Sequence, residues 1–109
     1  MHWQKPTNRA VTESGLSPSL QAEDDIIGIA EKDVRLFGPA QARKYYDELF
    51  EAFDLIAANP RMARERHELS PPMRIHPFKA HLIIYYIDND DDIFIVRVRH
   101  GQEDWANDA

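Results

Sequence analysis

Apolar positions follow one rhythm in the first half of the chain and another in the second. Leu20, Ile26, Ile27, Ala30, Val34 and Phe37 recur at helical spacing and predict an amphipathic helix with this stripe as its inner face. Ser19 stands before it with a hydroxyl able to cap free N–H groups, and Glu23, Asp24 and Asp25 set negative charge near the positive end of the dipole. Gly38 suits a left-handed stop, and Pro39 suits the first turn of a second helix running to about Ala58. Its inner stripe is Ala42, Tyr46, Leu49, Phe53, Ile56 and Ala57, with Tyr45 and Phe50 alongside. Asn59-Pro60 ends it, because proline disfavours helical geometry in the residue before it. So short a link predicts a helix hairpin.

Beyond Pro71-Pro72, which hold the chain extended, the pattern becomes that of strands. Met73 to Phe78 predicts a strand, with Pro77 favouring an edge or a bulge near its end. Ala80 to Ile87 is almost continuously apolar and predicts a buried strand. Asp88 to Asp92 then reads as a hairpin turn into a third strand, Ile93 to His100. Strict alternation puts Phe94, Val96, Val98 and His100 on one face and Ile93, Ile95, Arg97 and Arg99 on the other. The whole is an α+β domain: a two-helix hairpin packed on a three-strand antiparallel meander, with a candidate fourth strand between Val11 and Ser17.

Composition narrows what such a domain does. With 109 residues it makes one domain, and the absence of Cys excludes disulfides, thiolate metal sites and a Cys nucleophile. The net charge of −6 speaks against gripping a nucleic-acid backbone with the whole surface. No apolar run approaches the roughly 20 residues that span a bilayer, and residues 1–6 lack the core of a signal peptide, so a cytoplasmic location is expected.

Three groups could carry chemistry. The acidic turn fails the calcium-loop spacing, since Ile93 and Arg99 stand where Gly and Glu are required. His76, His81 and His100 form no metal-binding spacing, so neither a metal nor any other cofactor is expected. Arg61, Arg64, Arg66, Arg74 and Lys79 form a basic cluster, which Arg97, Arg99 and His100 could join across the sheet. Such a patch could hold RNA phosphates or an acidic partner, and internal pairs to Glu65 and Glu68 are an equally good account of any one Arg. Arg97 is the exception, because a strand-interior cation on a mostly apolar face needs a partner.

Three strings in this order resemble the ParE branch of the ParE/RelE toxin superfamily. They are Ser19-Leu20-Gln21-Ala22-Glu23-Asp24-Asp25-Ile26, the run from Phe37-Gly38 through Tyr45/Tyr46 to Ala58-Asn59-Pro60 and Glu68-Leu69, and Ile95-Val96-Arg97-Val98-Arg99-His100-Gly101-Gln102-Glu103-Asp104-Trp105. The likeness covers roughly residues 16–105, with residues 1–15 as a flexible lead and 106–109 as a tail. Arg99 stands where many relatives have Leu or Ile, so it is expected to face outward. The resemblance implies a type II toxin that poisons DNA gyrase and is neutralised by a ParD-like antitoxin. Arg61, Arg64, Arg66, Arg74, Arg97, Arg99, His100 and Trp105 are then expected to meet antitoxin or target. RelE relatives instead cut mRNA on the ribosome, tend to be strongly basic, and carry a Tyr near the end of the domain. Here no Tyr follows Tyr86, so a binding poison without catalysis is expected. The rivals are a ribonuclease using Arg74, His81, Arg97 and His100, and a toxin-like chain that only binds antitoxin.

Overall fold

The computed structural model describes residues 15–101. In chain order the elements are β1 (Leu16–Pro18), α1 (Leu20–Phe37), α2 (Pro39–Ala58), β2 (Glu65–Arg66), β3 (Met73–Phe78), β4 (His81–Ile87) and β5 (Ile93–His100). The predicted meander is β3–β4–β5. Two short strands extend it to a five-stranded sheet of order β1-β5-β4-β3-β2, with β1 parallel to β5 and the other pairs antiparallel. Of the expected first strand, Leu16 and Ser17 are in β1, and residues 1–14 lie outside the described residues.

A single residue separates the helices. Gly38 holds φ 88° and ψ 164°, a region open essentially to glycine alone, while its N–H caps α1 through Val34 O (3.0 Å) and its carbonyl accepts from Ala42 N–H (3.1 Å). The helices and the sheet enclose one core in which Ile26, Leu49, Phe53 and Ile56 meet Ile83, Tyr85, Ile93, Ile95 and Val98.

The inner face of α1 differs from the predicted stripe. Ala22 and Ile26 are buried and Ile29 packs against the core, whereas Leu20, Ile27, Val34 and Phe37 are 61%, 48%, 46% and 64% exposed. The helix carries two apolar stripes, and counting apolar residues at helical spacing merged them. The stripe of α2 matches its expectation, with Ala42, Leu49, Phe53 and Ile56 buried and Ala52 added.

Strand β5 departs from strict alternation. Tyr85 pairs with Ile95 and Ile84 with Arg97, so Val96 is an extra residue in a β-bulge. The bulge reverses the facing of everything after it, and Val98 joins Ile93 and Ile95 in the core. It also ends the strand's outer pairing, since β1 reaches only to Ile95.

The start of α1 takes over from there. Ser19 N–H donates to Ile95 O (2.8 Å), and Ser19 Oγ donates to Val96 O (2.7 Å) while accepting from Ala22 N–H (2.9 Å). Asp25 Oδ2 then accepts from Val98 N–H (2.9 Å). One hydroxyl thus caps the helix and satisfies the bulge.

On the far side of the core, the Tyr85 ring is fully buried and its hydroxyl donates to Pro60 O (2.9 Å), fixing the exit from α2. Burial raises its pKa, which keeps the phenol protonated as a donor. Tyr85→Phe keeps the packing and removes the hydroxyl that makes this bond. It is expected to lower stability by about 1–2 kcal/mol, read as a lower urea midpoint at unchanged m-value.

Candidate functional site

Where the helix hairpin meets the end of the sheet, a groove of about 1030 Å³ opens between α1, the first half of α2, the β3–β4 turn and the last residues of β5. It is built from three linkages. The first is ionic: Arg97 Nε and Nη2 reach the two oxygens of Asp25 at 2.8 and 3.0 Å, a bidentate pair with side chains 34% and 15% exposed. The second is a row of rings. Tyr45 Oη and His81 Nδ1 share a hydrogen bond of 2.5 Å, and the His81 ring lies edge-on to His100, its cross-strand partner, at 5.5 Å. Burial first, then the nearby Asp33 carboxylate, pushes the Tyr45 phenol up to about 12, so it stays neutral. The third is Lys79 Nζ on Glu48 Oε1 at 2.8 Å, a hydrogen bond that lowers the Glu48 pKa.

A second, smaller cavity of about 180 Å³ lies among Arg61, Glu65, Arg74, Tyr86 and the acidic turn. Arg74 Nη1 donates to Ala63 O (2.5 Å), and Arg61 pairs with Asp91 (3.3 Å). Arg64 and Arg66 both approach Glu68, at 4.0 and 3.9 Å, through exposed contacts that contribute little to stability. At the tip, Asp88 Oδ1 accepts from the N–H groups of Asp90 and Asp92, which makes it a turn-forming group.

The expected basic patch is therefore divided. Arg97, Arg99, His81 and His100 line the large groove; Arg61 and Arg74 line the small cavity. The expected convergence of Arg74 with Arg97 and Arg99 does not occur, and the bulge is the reason. Arg74 stands opposite Tyr85, on the core face, whereas Arg97 and Arg99 stand opposite Ile84 and Leu82, on the other. Trp105 lies outside the described residues. His76 sits apart from the groove lining, and burial lowers its pKa.

Sequence comparison fits this architecture. Residues 16–105 match the profile of the family described as ParE toxin of type II toxin-antitoxin system, parDE. The chain belongs to the ParE toxin family. Toxin ParE1 from Mycobacterium tuberculosis, in strains CDC 1551 / Oshkosh and H37Rv, is 36% identical over 89 residues, covering 82% of this chain and 89% of the relative. A solved structure titled "Chromosomal ParDE TA system from P. aeruginosa" shares the fold at a TM-score of 0.69 and 19% identity, over 79% of this chain and 94% of that one.

Within this ParE chain, sequence reasoning missed the groove's α1 and α2 walls. Asp25 lay in the first family-like string as a dipole charge, with nothing local to tie it to Arg97, 72 residues on. Tyr45 was legible only as an aromatic beside a packing stripe. The signal was its one-residue offset from Tyr46, which turns the two rings toward different sides of the helix.

Proposed function

We propose that this ParE family member is a growth-inhibiting toxin of the cytoplasm, which poisons DNA gyrase by binding and is neutralised by a ParD-like antitoxin. Family membership over nearly the whole domain supports the toxin reading, and the resemblance described above supports gyrase as the target. The observation that carries the non-catalytic part is the state of Arg97 and Arg74. The two arginines best suited by sequence to hold a scissile phosphate are engaged within the fold, one by Asp25 and the other by Ala63 O. The exposed stripe of Leu20, Ile27 and Val34 supports an antitoxin helix lying along α1, because a disordered segment folds most readily against exposed apolar surface.

A ribonuclease is the second reading, favoured by the row Tyr45–His81–His100 beside Lys79 and Arg99. One experiment separates the two. Induced expression of the chain alone is expected to arrest growth with double-strand breaks and induction of the DNA-damage response, and the purified chain is expected to inhibit gyrase supercoiling. Co-expression of the antitoxin from a neighbouring reading frame should restore growth. Cleaved transcripts with intact chromosomes would assign the ribonuclease reading instead, and unaffected growth would leave only antitoxin binding.

A further inference from the structure

In the wall of the large groove, the direction of one hydrogen bond decides what a histidine can do. Tyr45 stands on α2 with its ring edge-on to Phe78 at 5.2 Å and to His81 at 5.7 Å. Lys79 Nζ lies 5.9 Å from the centre of the same ring and is itself held by Glu48, about one turn further along α2. These contacts fix the ring with its hydroxyl 2.5 Å from Nδ1 of His81.

A bond between a phenol and an imidazole can run either way, and the tautomer of the imidazole follows from which group donates. Here the phenol keeps its proton, because burial and the neighbouring Asp33 carboxylate raise its pKa. The backbone hydrogen bond from Ala80 lowers that pKa, so it is an N–H that donates into the oxygen and cannot receive the phenol's proton. Among the described residues, His81 Nδ1 is the one acceptor that Tyr45 Oη meets. Were Nδ1 itself the donor, a half-buried hydroxyl would be left without an acceptor, an arrangement that folded proteins avoid.

We infer that Tyr45 is a positioning residue, which holds His81 in its neutral form with the ring proton on Nε2. The Nδ1 lone pair is then taken up by the Tyr45 hydroxyl, and the other nitrogen is a donor. In this form His81 lines the groove as a group that gives a hydrogen bond, with no lone pair left to take a proton. A general base in this row of rings would have to be His100, the cross-strand partner of His81. None of this depends on whether the toxin binds its target or cuts it.

The test is a long-range proton–nitrogen correlation spectrum of the histidine rings in the full chain, recorded about two units above the usual imidazole pKa. The signals of His81 are those missing from the spectrum of His81→Gln. They are expected to show the pattern of the pure Nε2–H tautomer, with Nδ1 bare and Nε2 protonated. Tyr45→Phe keeps the ring against Phe78 and removes the hydroxyl. Its two His81 nitrogen signals should move toward each other as the tautomers begin to interchange, while far-UV circular dichroism stays unchanged. An Nδ1–H pattern in the unmutated chain, or one averaged over both tautomers, would overturn the inference without recourse to the Tyr45 variant. An Nε2–H pattern that survives Tyr45→Phe would overturn it as well, because a different contact would then set the tautomer.

Discussion

Asp25→Ala is expected to lower stability by about 3 kcal/mol, a fall of roughly 12–24 °C in Tm for a domain of this size. The carboxylate accepts from Arg97 twice and from Val98 N–H once, and it is 15% exposed. Its removal takes this acceptor from the Arg97 guanidinium and from the Val98 N–H, at the edge of β5 beyond the reach of β1. Arg97→Ala should be milder, about 1.5–2.5 kcal/mol, because the Val98 bond survives and the guanidinium is already 34% exposed. Arg97→Lys should recover only part of this, since an ammonium cannot reproduce the fork. Arg99→Ala is expected to change stability by less than about 0.5 kcal/mol and to weaken partner or target binding instead. Thermal unfolding of the four variants orders them. Equal midpoints for Asp25→Ala and Arg99→Ala would show that the ionic lock contributes nothing to the fold.

A second large effect is expected at the outer stripe of α1. Ile27→Glu with Val34→Glu should reduce antitoxin affinity at least ~100-fold, about 2.7 kcal/mol, by setting two charges into a surface proposed to receive an apolar helix face. Both side chains are roughly half exposed in the free chain, and Glu is a better helix former than either, so Tm should be nearly unchanged. Titration calorimetry against the antitoxin, with melting curves alongside, checks both halves. Unaltered affinity would remove the stripe from the interface.

What could be read from the sequence, and what could not, divides along the range of the interactions concerned. Ser19, Gly38, Pro39 and Asn59-Pro60 act on their immediate neighbours, and they set the helix boundaries where local rules put them. The three meander strands were equally legible. The bulge was not, because Ile93, Phe94, Ile95, Val96 and Val98 are all apolar and a slip of one residue among them leaves no mark on the pattern. That slip put Arg97 and Arg99 on the face opposite Arg74 and so decided which cations share a site. The two stripes of α1 were merged for a related reason. Spacing identifies residues on a common side of a helix, but the packing partner selects which side turns inward.

The dependence of the helix start on β5 has a consequence for biosynthesis. Ser19 and Asp25 find their partners 72 to 77 positions further along, and β1 pairs with the same distant strand. While the ribosome is still making the β4–β5 hairpin, the bulge carbonyls that Ser19 meets and the guanidinium that Asp25 holds do not yet exist. The loop joining these groups is long and must close before their contacts repay its entropy, which makes docking a late event. A nascent chain is therefore unable to assemble the groove until β5 has emerged.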